Sequence, residues 1–512
     1  MKKVCAIIFI LLLLSGCAEL ANSDKVNIAE ALILQVSETS LDGMTRYFHP
    51  YGFALTAPSS FEPRQELLDL ELRLERDDCV IEVLPQKLEE GVSPQVYSSY
   101  SNGFLRNEEL HYLDGQENTL LSGRSALLTR WHREKSGEGD RNYYALADVY
   151  DGDMVYTIFL KADRDVETLD FDYRKVFDSL ETGRFSYAIK HVPVFTNDHR
   201  SRMNAETAAL YEEYFGDNGK FHWGMYYHRQ PVDGMEKFEL LEKYVGDMDM
   251  VLLYTEIYDE YDPYMAYGGM VNAWESGKIC EVTLQLDIHH DESDVYEILR
   301  GEHDNFLYPY AEDIARFGHP IFMRLFNEMN GEWCEYSGFQ TSRDPDVYLR
   351  LYKYIYNIFE EVGADNVIWV WNPNEKSYPT FNWNDMLLYY PGDEYVDVIG
   401  LSGYNTGTGI PGEIWRSFSE IYDGYYEYMR DTFNKPMMIT EFGCALEGGD
   451  KLRWVEEMFR DLPEKYPEIR AAVWLHERDT NKATGETTRS FFLDDTPGLP
   501  ELFKENLDKL DR

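Results

Sequence analysis

Two glutamates, Glu328 and Glu441, each come directly after a short apolar segment of the chain. Such a segment is typical of a buried strand. A carboxylate at the end of such a strand is therefore a candidate functional residue. A pair of carboxyl groups can hydrolyse a glycosidic bond: one protonates the leaving oxygen, and the other attacks the anomeric carbon or activates water. The chain holds 93 acidic residues, so placement rather than residue type singles out this pair.

The segments before these glutamates belong to a regular series of strands and helices. The helix after the fourth strand has Asp344 to cap it, Pro345 at its first position and Gly363 to end it. Eight strand–helix units predict an α/β fold, a (β/α)8 TIM barrel with the glutamates at the carboxyl ends of strands four and seven. A doubly wound open sheet is the alternative. The eight strands are predicted at residues 222–226, 250–254, 282–286, 321–326, 367–371, 396–401, 437–440 and 471–475.

The residues before the barrel have a different pattern of apolar and polar positions. Residues 45–190 alternate apolar and polar positions in several short runs, and Asp151-Gly152 is typical of a hairpin turn. This pattern predicts a small α+β domain, while residues 195–512 form the barrel. The α+β layout loosely resembles the PsbP/Mog1-type sandwich and carries no catalytic motif.

The N-terminus predicts export. Residues 1–16 join two lysines to an apolar run too short to span a bilayer permanently, as in a signal peptide. The ending Leu14-Ser15-Gly16-Cys17 resembles a bacterial lipobox, which implies a lipid on Cys17. Residues 17–44 are then a tether. We expect an extracytoplasmic lipoprotein that meets the membrane only through this anchor; an ordinary secretory signal is the alternative.

Composition narrows the possible partners. The formal charge of −45 speaks against binding to nucleic-acid phosphates. The four cysteines of the mature chain beyond Cys17 are scattered without a CxxC motif, so zinc is not expected and one disulfide is possible. The acidic stretch 287–292 contains two histidines, but its place after the third strand favours a cleft-lining loop over a metal site. The chemistry requires no cofactor or metal.

Longer strings then resemble glycoside hydrolase family 26, the β-mannanase family. These are Glu-Met-Asn-Gly-Glu-Trp at 328–333, Asn-Val-Ile-Trp-Val-Trp-Asn-Pro at 366–373, Ile-Gly-Leu-Ser-Gly-Tyr-Asn at 399–405 and Glu-Phe-Gly at 441–443. The resemblance implies a retaining glycosidase with Glu328 as acid/base and Glu441 as nucleophile, which Tyr404 would orient. Trp333 and Trp474 would line the sugar subsites. Arg324 is grouped with the substrate-binding residues; because it is costly to bury alone, it is expected to reach Glu441, and a structural ion pair with another acid is the alternative.

Two positions depart from the family pattern. Asn327 stands where histidine commonly precedes the acid/base, and Ser402 stands where aspartate is common. Both are expected beside the central sugar, which favours a glucose-containing polysaccharide over plain mannan. The sequence thus predicts an endo-acting hydrolase of β-mannan, glucomannan or mixed-linkage β-glucan. A non-catalytic sugar-binding lipoprotein and an envelope or spore assembly protein remain alternatives.

Overall fold

The computed structural model describes residues 35–37, 43–183, 195, 202–217, 219–258, 260–286, 291–480 and 484–510. The predicted signal peptide, Cys17 and residues 287–290 lie outside these ranges. So does most of the predicted tether, although its residues Gln35–Ser37 form a strand. No helix within the described ranges has the length and apolar character needed to cross a membrane.

The N-terminal part is a β-rich domain of two sheets. A four-stranded sheet has the order β1-β2-β3-β11, and a seven-stranded sheet has the order β4-β5-β6-β10-β9-β8-β7. The strands are β1 Gln35–Ser37, β2 Met44–His49, β3 Phe53–Pro58, β4 Glu62–Arg64, β5 Leu72–Arg76, β6 Cys79–Lys87, β7 Tyr112–Leu121, β8 Arg124–His132, β9 Tyr143–Asp151, β10 Met154–Ala162 and β11 Glu181–Thr182. Two helices, α1 Pro94–Ser101 and α2 Tyr173–Asp178, pack beside them.

The C-terminal part is a closed barrel of eight parallel strands. The last strand pairs in parallel with the first, which excludes the open sheet. The strands are β12 His222–Tyr227, β13 Met250–Ile257, β14 Ile279–Leu286, β15 Ile321–Leu325, β16 Val367–Trp371, β17 Val398–Asn405, β18 Met437–Cys444 and β19 Ile469–His476. All eight predicted strands are confirmed.

Helices surround this barrel. They are α3 Ala205–Phe215, α4 Glu236–Val245, α5 Gly269–Glu275, α6 Glu292–Leu299, α7 Asp304–Phe317, α8 Pro345–Val362, α9 Phe418–Thr432, α10 Lys451–Lys465 and α11 Leu499–Leu510. A hairpin of β20 Arg478–Thr480 and β21 Thr487–Ser490 follows the last barrel strand. Helix α8 has the predicted ends: Asp344 accepts the Asp346 backbone N–H at 3.1 Å, and Gly363 is left-handed with φ 76°.

The barrel interior is apolar in its lower part. Side chains such as Leu252, Phe322, Val370 and Val473 fill it, and Tyr214 of α3 packs with them against Phe322. A second, larger core lies between the strands and the surrounding helices. Because side chains alternate along a strand, each barrel strand divides its residues between these two cores.

The two domains share a polar interface. Arg343, in the loop before α8, has no exposed side-chain surface; it donates to the Tyr97 hydroxyl at 2.8 Å and lies 3.4 Å from Asp148. Lys161 pairs with Asp344 at 2.6 Å. Buried charges are tolerated only with such partners, so the N-terminal domain is packed firmly onto the loop that follows β15.

Candidate active site

The turn after β15 presents Glu328 in an unusual backbone conformation. Phe326 and Glu328 have φ values of 47° and 57°, in the left-handed region that non-glycine residues rarely adopt. The Glu328 N–H donates to the Asn372 carbonyl at 2.7 Å, which ties the turn to the end of β16. Strain of this kind persists where the surrounding structure holds it, and it is concentrated at functional sites.

The Glu328 carboxyl group has three hydrogen-bond donors around it. The Ser402 hydroxyl lies 2.5 Å and the Asn374 amide 3.1 Å from Oε1, and the Trp333 indole N–H lies 3.2 Å from Oε2. Burial raises the pKa of Glu328 above its ordinary value, and the negative charge of Glu441 raises it further; the Ser402 bond opposes this rise. Glu328 therefore keeps its proton to a higher pH than a solvated glutamate does.

The Glu441 carboxylate, on β18, has a different environment. Arg324 donates to its Oε2 at 2.7 Å, and the Tyr254 hydroxyl also donates to Oε2. The Tyr404 hydroxyl donates to Oε1. Both oxygens are thus held in a fixed orientation beside a guanidinium, as a positioned nucleophile requires.

Arg324 is the centre of a buried polar cluster beneath this carboxylate. Its side chain has no exposed surface and also bonds Thr283 at 2.7 Å and Asn372 at 3.2 Å. Glu281 lies 3.6 Å away, fully buried, and neither of its oxygens accepts a hydrogen bond from the described residues. Burial raises the pKa of Glu281 to about 8, so it is protonated at neutral pH.

Ser402 links the two glutamates at the barrel mouth. Ser402 on β17 is the direct partner of Glu441 on β18, and the same Ser402 hydroxyl bonds Glu328. One carboxyl group has a raised pKa, and the other is surrounded by donors. Two such carboxyl groups facing one cleft can divide the roles of acid and nucleophile between them.

Exposed aromatic rings lie beside Glu328. Trp333 is 49% exposed, Tyr378 is 41% exposed, and their ring centroids are 5.4 Å apart. Large exposed rings held by a polar tip offer apolar faces to the C–H face of a sugar. Trp333 is therefore where the sequence prediction placed it, at the cleft.

Trp474 corrects the prediction that it lines a sugar subsite. It has no exposed surface; its indole N–H donates to the Phe491 carbonyl at 2.7 Å, and its ring packs against Phe442 and Phe503. Its neighbour Val473 belongs to the barrel interior, so strand alternation turns Trp474 outward into the helix layer.

Arg324 reaches Glu441 as predicted, and two other predicted substrate residues, Ser402 and Asn327, are buried. Ser402 and Arg324 are fully buried and contact the two glutamates, so they position carboxyl groups and do not face the cleft. Asn327 is buried, and its Oδ1 has no hydrogen-bond partner among the described residues. Tyr404 bonds Glu441 as predicted.

The sequence prediction missed Tyr254, Asn374 and Glu281. Tyr254 ends the predicted second strand, and Asn374 follows the fifth, so attention to every strand exit finds both. Nothing distinguishes Glu281 in sequence from the other acidic residues.

The described residues contain one group of side chains with the spacing of metal ligands: Asp294, Glu297 and His303. Asp294 already accepts the Asp291 backbone N–H at 2.9 Å in the capping box of α6. Its bond to His303 raises the pKa of that imidazole, so a salt bridge accounts for the group. Cys79, Cys280, Cys334 and Cys444 are buried free thiols, and no disulfide joins them.

The fold and site define a (β/α)8 barrel whose mouth holds a pair of carboxyl groups beside aromatic rings. Residues 272–426 match the profile of Glycosyl hydrolase family 26. The matched residues lie within the barrel and include strands β14 to β17, so over this stretch the chain is similar to that family.

Two relatives are similar to this chain over part of its length. Endoglucanase H of Acetivibrio thermocellus is 35% identical over 196 residues, which are 38% of this chain and 21% of that protein. A mannan endo-1,4-beta-mannosidase of Bacillus subtilis is 31% identical over 146 residues, 27% of this chain and 34% of that protein. The chain thus matches only about a fifth to a third of their length. The solved structure of a Bacillus subtilis mannanase aligns over 55% of this chain and 89% of its own, with 19% identity and a TM-score of 0.42.

Proposed function

We propose that the protein is an endo-acting glycoside hydrolase that cleaves a β-linked polysaccharide with retention of anomeric configuration. The observation that carries the proposal is the contrast between two neighbouring carboxyl groups. Glu328 is buried with a raised pKa, whereas Glu441 is held by Arg324, Tyr254 and Tyr404.

The two residues act in sequence. The protonated Glu328 gives its proton to the glycosidic oxygen while Glu441 attacks the anomeric carbon, so the leaving sugar departs and a glycosyl-enzyme ester forms. The negative charge of Glu441 is then lost, which removes one cause of the raised pKa of Glu328. Glu328, which has already given up its proton, therefore remains ionised more readily in the intermediate and acts as the base: it takes a proton from water while the water oxygen bonds to the anomeric carbon and Glu441 leaves as a carboxylate.

Substitution of each glutamate tests this assignment. We expect Glu328→Gln and Glu441→Gln each to lower kcat about 10²–10⁴-fold or more, while Glu335→Gln, in the same loop as Glu328, retains activity. NMR of the first product should show the β-anomer. An α-anomer, or an active Glu441→Gln variant, would contradict the proposal. A protein that binds sugars without cleaving them would support the sugar-binding alternative.

For the substrate, we propose a glucose-containing chain, either mixed-linkage β-glucan or glucomannan. Mannose and glucose differ at the 2-hydroxyl, whose hydrogen bonds strengthen in the transition state. The amide of Asn327, which precedes Glu328 in the chain, replaces the histidine common in mannanases, and the name of the Acetivibrio relative supports the same choice. We expect kcat/KM on lichenan or glucomannan to equal or exceed that on unsubstituted mannan; a tenfold preference for mannan would contradict this.

We also propose that the enzyme is exported and anchored to the membrane by a lipid on Cys17. The string Leu14-Ser15-Gly16-Cys17 supports this. A Cys17→Ala variant should leave the membrane fraction on cell fractionation, and a variant that stays there would disprove the anchor.

A further inference from the structure

Helix α1 of the N-terminal domain lies against the loop that carries Trp333. The Tyr100 hydroxyl of α1 donates to the Glu332 carboxylate, one residue before Trp333. The Tyr100 ring packs on Phe339 of the same loop, with centroids 5.3 Å apart. Tyr100 is nevertheless 41% exposed, so part of its ring remains open to solvent beside the cleft.

An open groove adjoins this contact and is lined by residues of both domains. Its volume is about 760 Å³, and Phe339, which packs on Tyr100, is one of its walls. Arg106, Asn107 and Glu108 line it from the N-terminal domain, and Gln340 and Glu292 line it from the barrel. The Asn107 amide donates to Glu292 at 2.7 Å, which joins the two sides.

A series of side-chain contacts links the groove to the residues beside Glu328. Glu328 bonds the Trp333 indole, Glu332 bonds Tyr100, and Phe339 joins Tyr100 to the groove. An aromatic surface followed by a shallow channel with both donors and acceptors suits a sugar chain, whose hydroxyls need partners and whose ring faces are apolar. The mixed charge, with Arg106 among carboxylates, does not single out an ionic ligand.

We infer that Tyr100 and this groove form a distal subsite, in which the N-terminal domain binds sugar residues of the same polysaccharide beyond those at Trp333. The inference rests on the proposed function. It assigns the N-terminal domain a direct part in substrate binding, because Tyr100, Arg106 and Asn107 all belong to that domain.

The test compares a long substrate with a short one. The measured quantity is kcat/KM on soluble polysaccharide divided by kcat/KM on an aryl glycoside of two sugars, the short substrate. We expect Tyr100→Ala to lower this ratio roughly three- to tenfold through loss of one stacked ring, and Tyr100→Phe to lower it less. Tyr112→Ala is the control, since Tyr112 is an exposed tyrosine of the same domain that packs on His132 outside the groove.

The outcomes separate the two proposals. A ratio for Tyr100→Ala within twofold of wild type would overturn the distal subsite while the glycosidase assignment stands. Cleavage of neither substrate by the wild-type enzyme would overturn both. If Tyr100→Ala does not fold, Arg106→Ala takes its place, because Arg106 is exposed on the groove wall. A lowered ratio for Arg106→Ala supports the subsite, and an unchanged ratio rejects it. A ratio unchanged by both substitutions, with a second protein bound at the groove, would assign the surface to a protein partner instead.

Discussion

Glu281 lies fully buried beneath the site and should make stability depend on pH. Its pKa rises from 4.5 in the unfolded chain to about 8 in the fold, chiefly through burial, because Arg324 at 3.6 Å only partly offsets the loss of solvent. Between these values the unfolded state loses a proton that the folded state keeps. The free energy of unfolding therefore falls as pH rises through this window. Below pH 4.5 both states hold the proton, and Glu281 no longer makes stability depend on pH.

Glu281→Gln removes this dependence, because an amide of the same shape stays neutral in both states. At about 1.4 kcal/mol for each pH unit, the variant should gain about 2 kcal/mol over wild type between pH 5.5 and pH 7. For an unfolding unit of roughly 300 residues, this corresponds to a Tm gain of about 3 °C.

Calorimetry of both proteins at pH 5.5, 6.2 and 7 measures the effect. Glu239→Gln, at an exposed position on α4, is the matched control, and its Tm difference from wild type should not change with pH. A Glu281→Gln difference that is equal at pH 5.5 and pH 7 would refute the reasoning, since it would mean that Glu281 is ionised in the fold as a partner of Arg324.

Three further predictions concern other buried contacts. Trp474→Ala should destabilise the barrel by about 3–5 kcal/mol, as expected for a core residue. Trp333→Ala should instead raise KM with little change in Tm. The reverse pattern would show that Trp474 contacts the substrate after all. Ser402→Ala removes a bond that lowers the pKa of Glu328, so the basic limb of the pH–rate profile should move up by about 0.5–1 unit, and a downward shift would contradict this role. Arg343→Met leaves a buried carboxylate of the N-terminal domain without its partner and should cost about 3–5 kcal/mol in urea unfolding; a loss below about 1 kcal/mol would show that water reaches this interface.

The fold could be predicted from the sequence because every barrel strand is an apolar run of similar length, separated from the next by helical periodicity. The strands of the N-terminal domain were harder to predict from the sequence. Residues 72–83 look like one strand but form the hairpin of β5 and β6. Strand β7 escaped prediction because, as an edge strand with mostly exposed residues, it has no alternating apolar pattern.

Within the site, only residues near the carboxyl ends of the strands could be predicted from the sequence. That principle selected Glu328 and Glu441, and the contacts between them and Arg324, Ser402 and Tyr404 place all five together. It could not decide which way a residue near a strand end faces, because a shift of one position reverses the side of the strand. Trp474 was assigned to the cleft for that reason.

The interface around Arg343 has a consequence for how such enzymes are assembled. Arg343 and Asp344 belong to the barrel, yet Asp148 and Lys161, which neutralise them, come from the other half of the chain. A barrel joined to a different accessory module would lose the partners of both charges. We therefore expect a stable piece for expression or domain exchange to contain both domains.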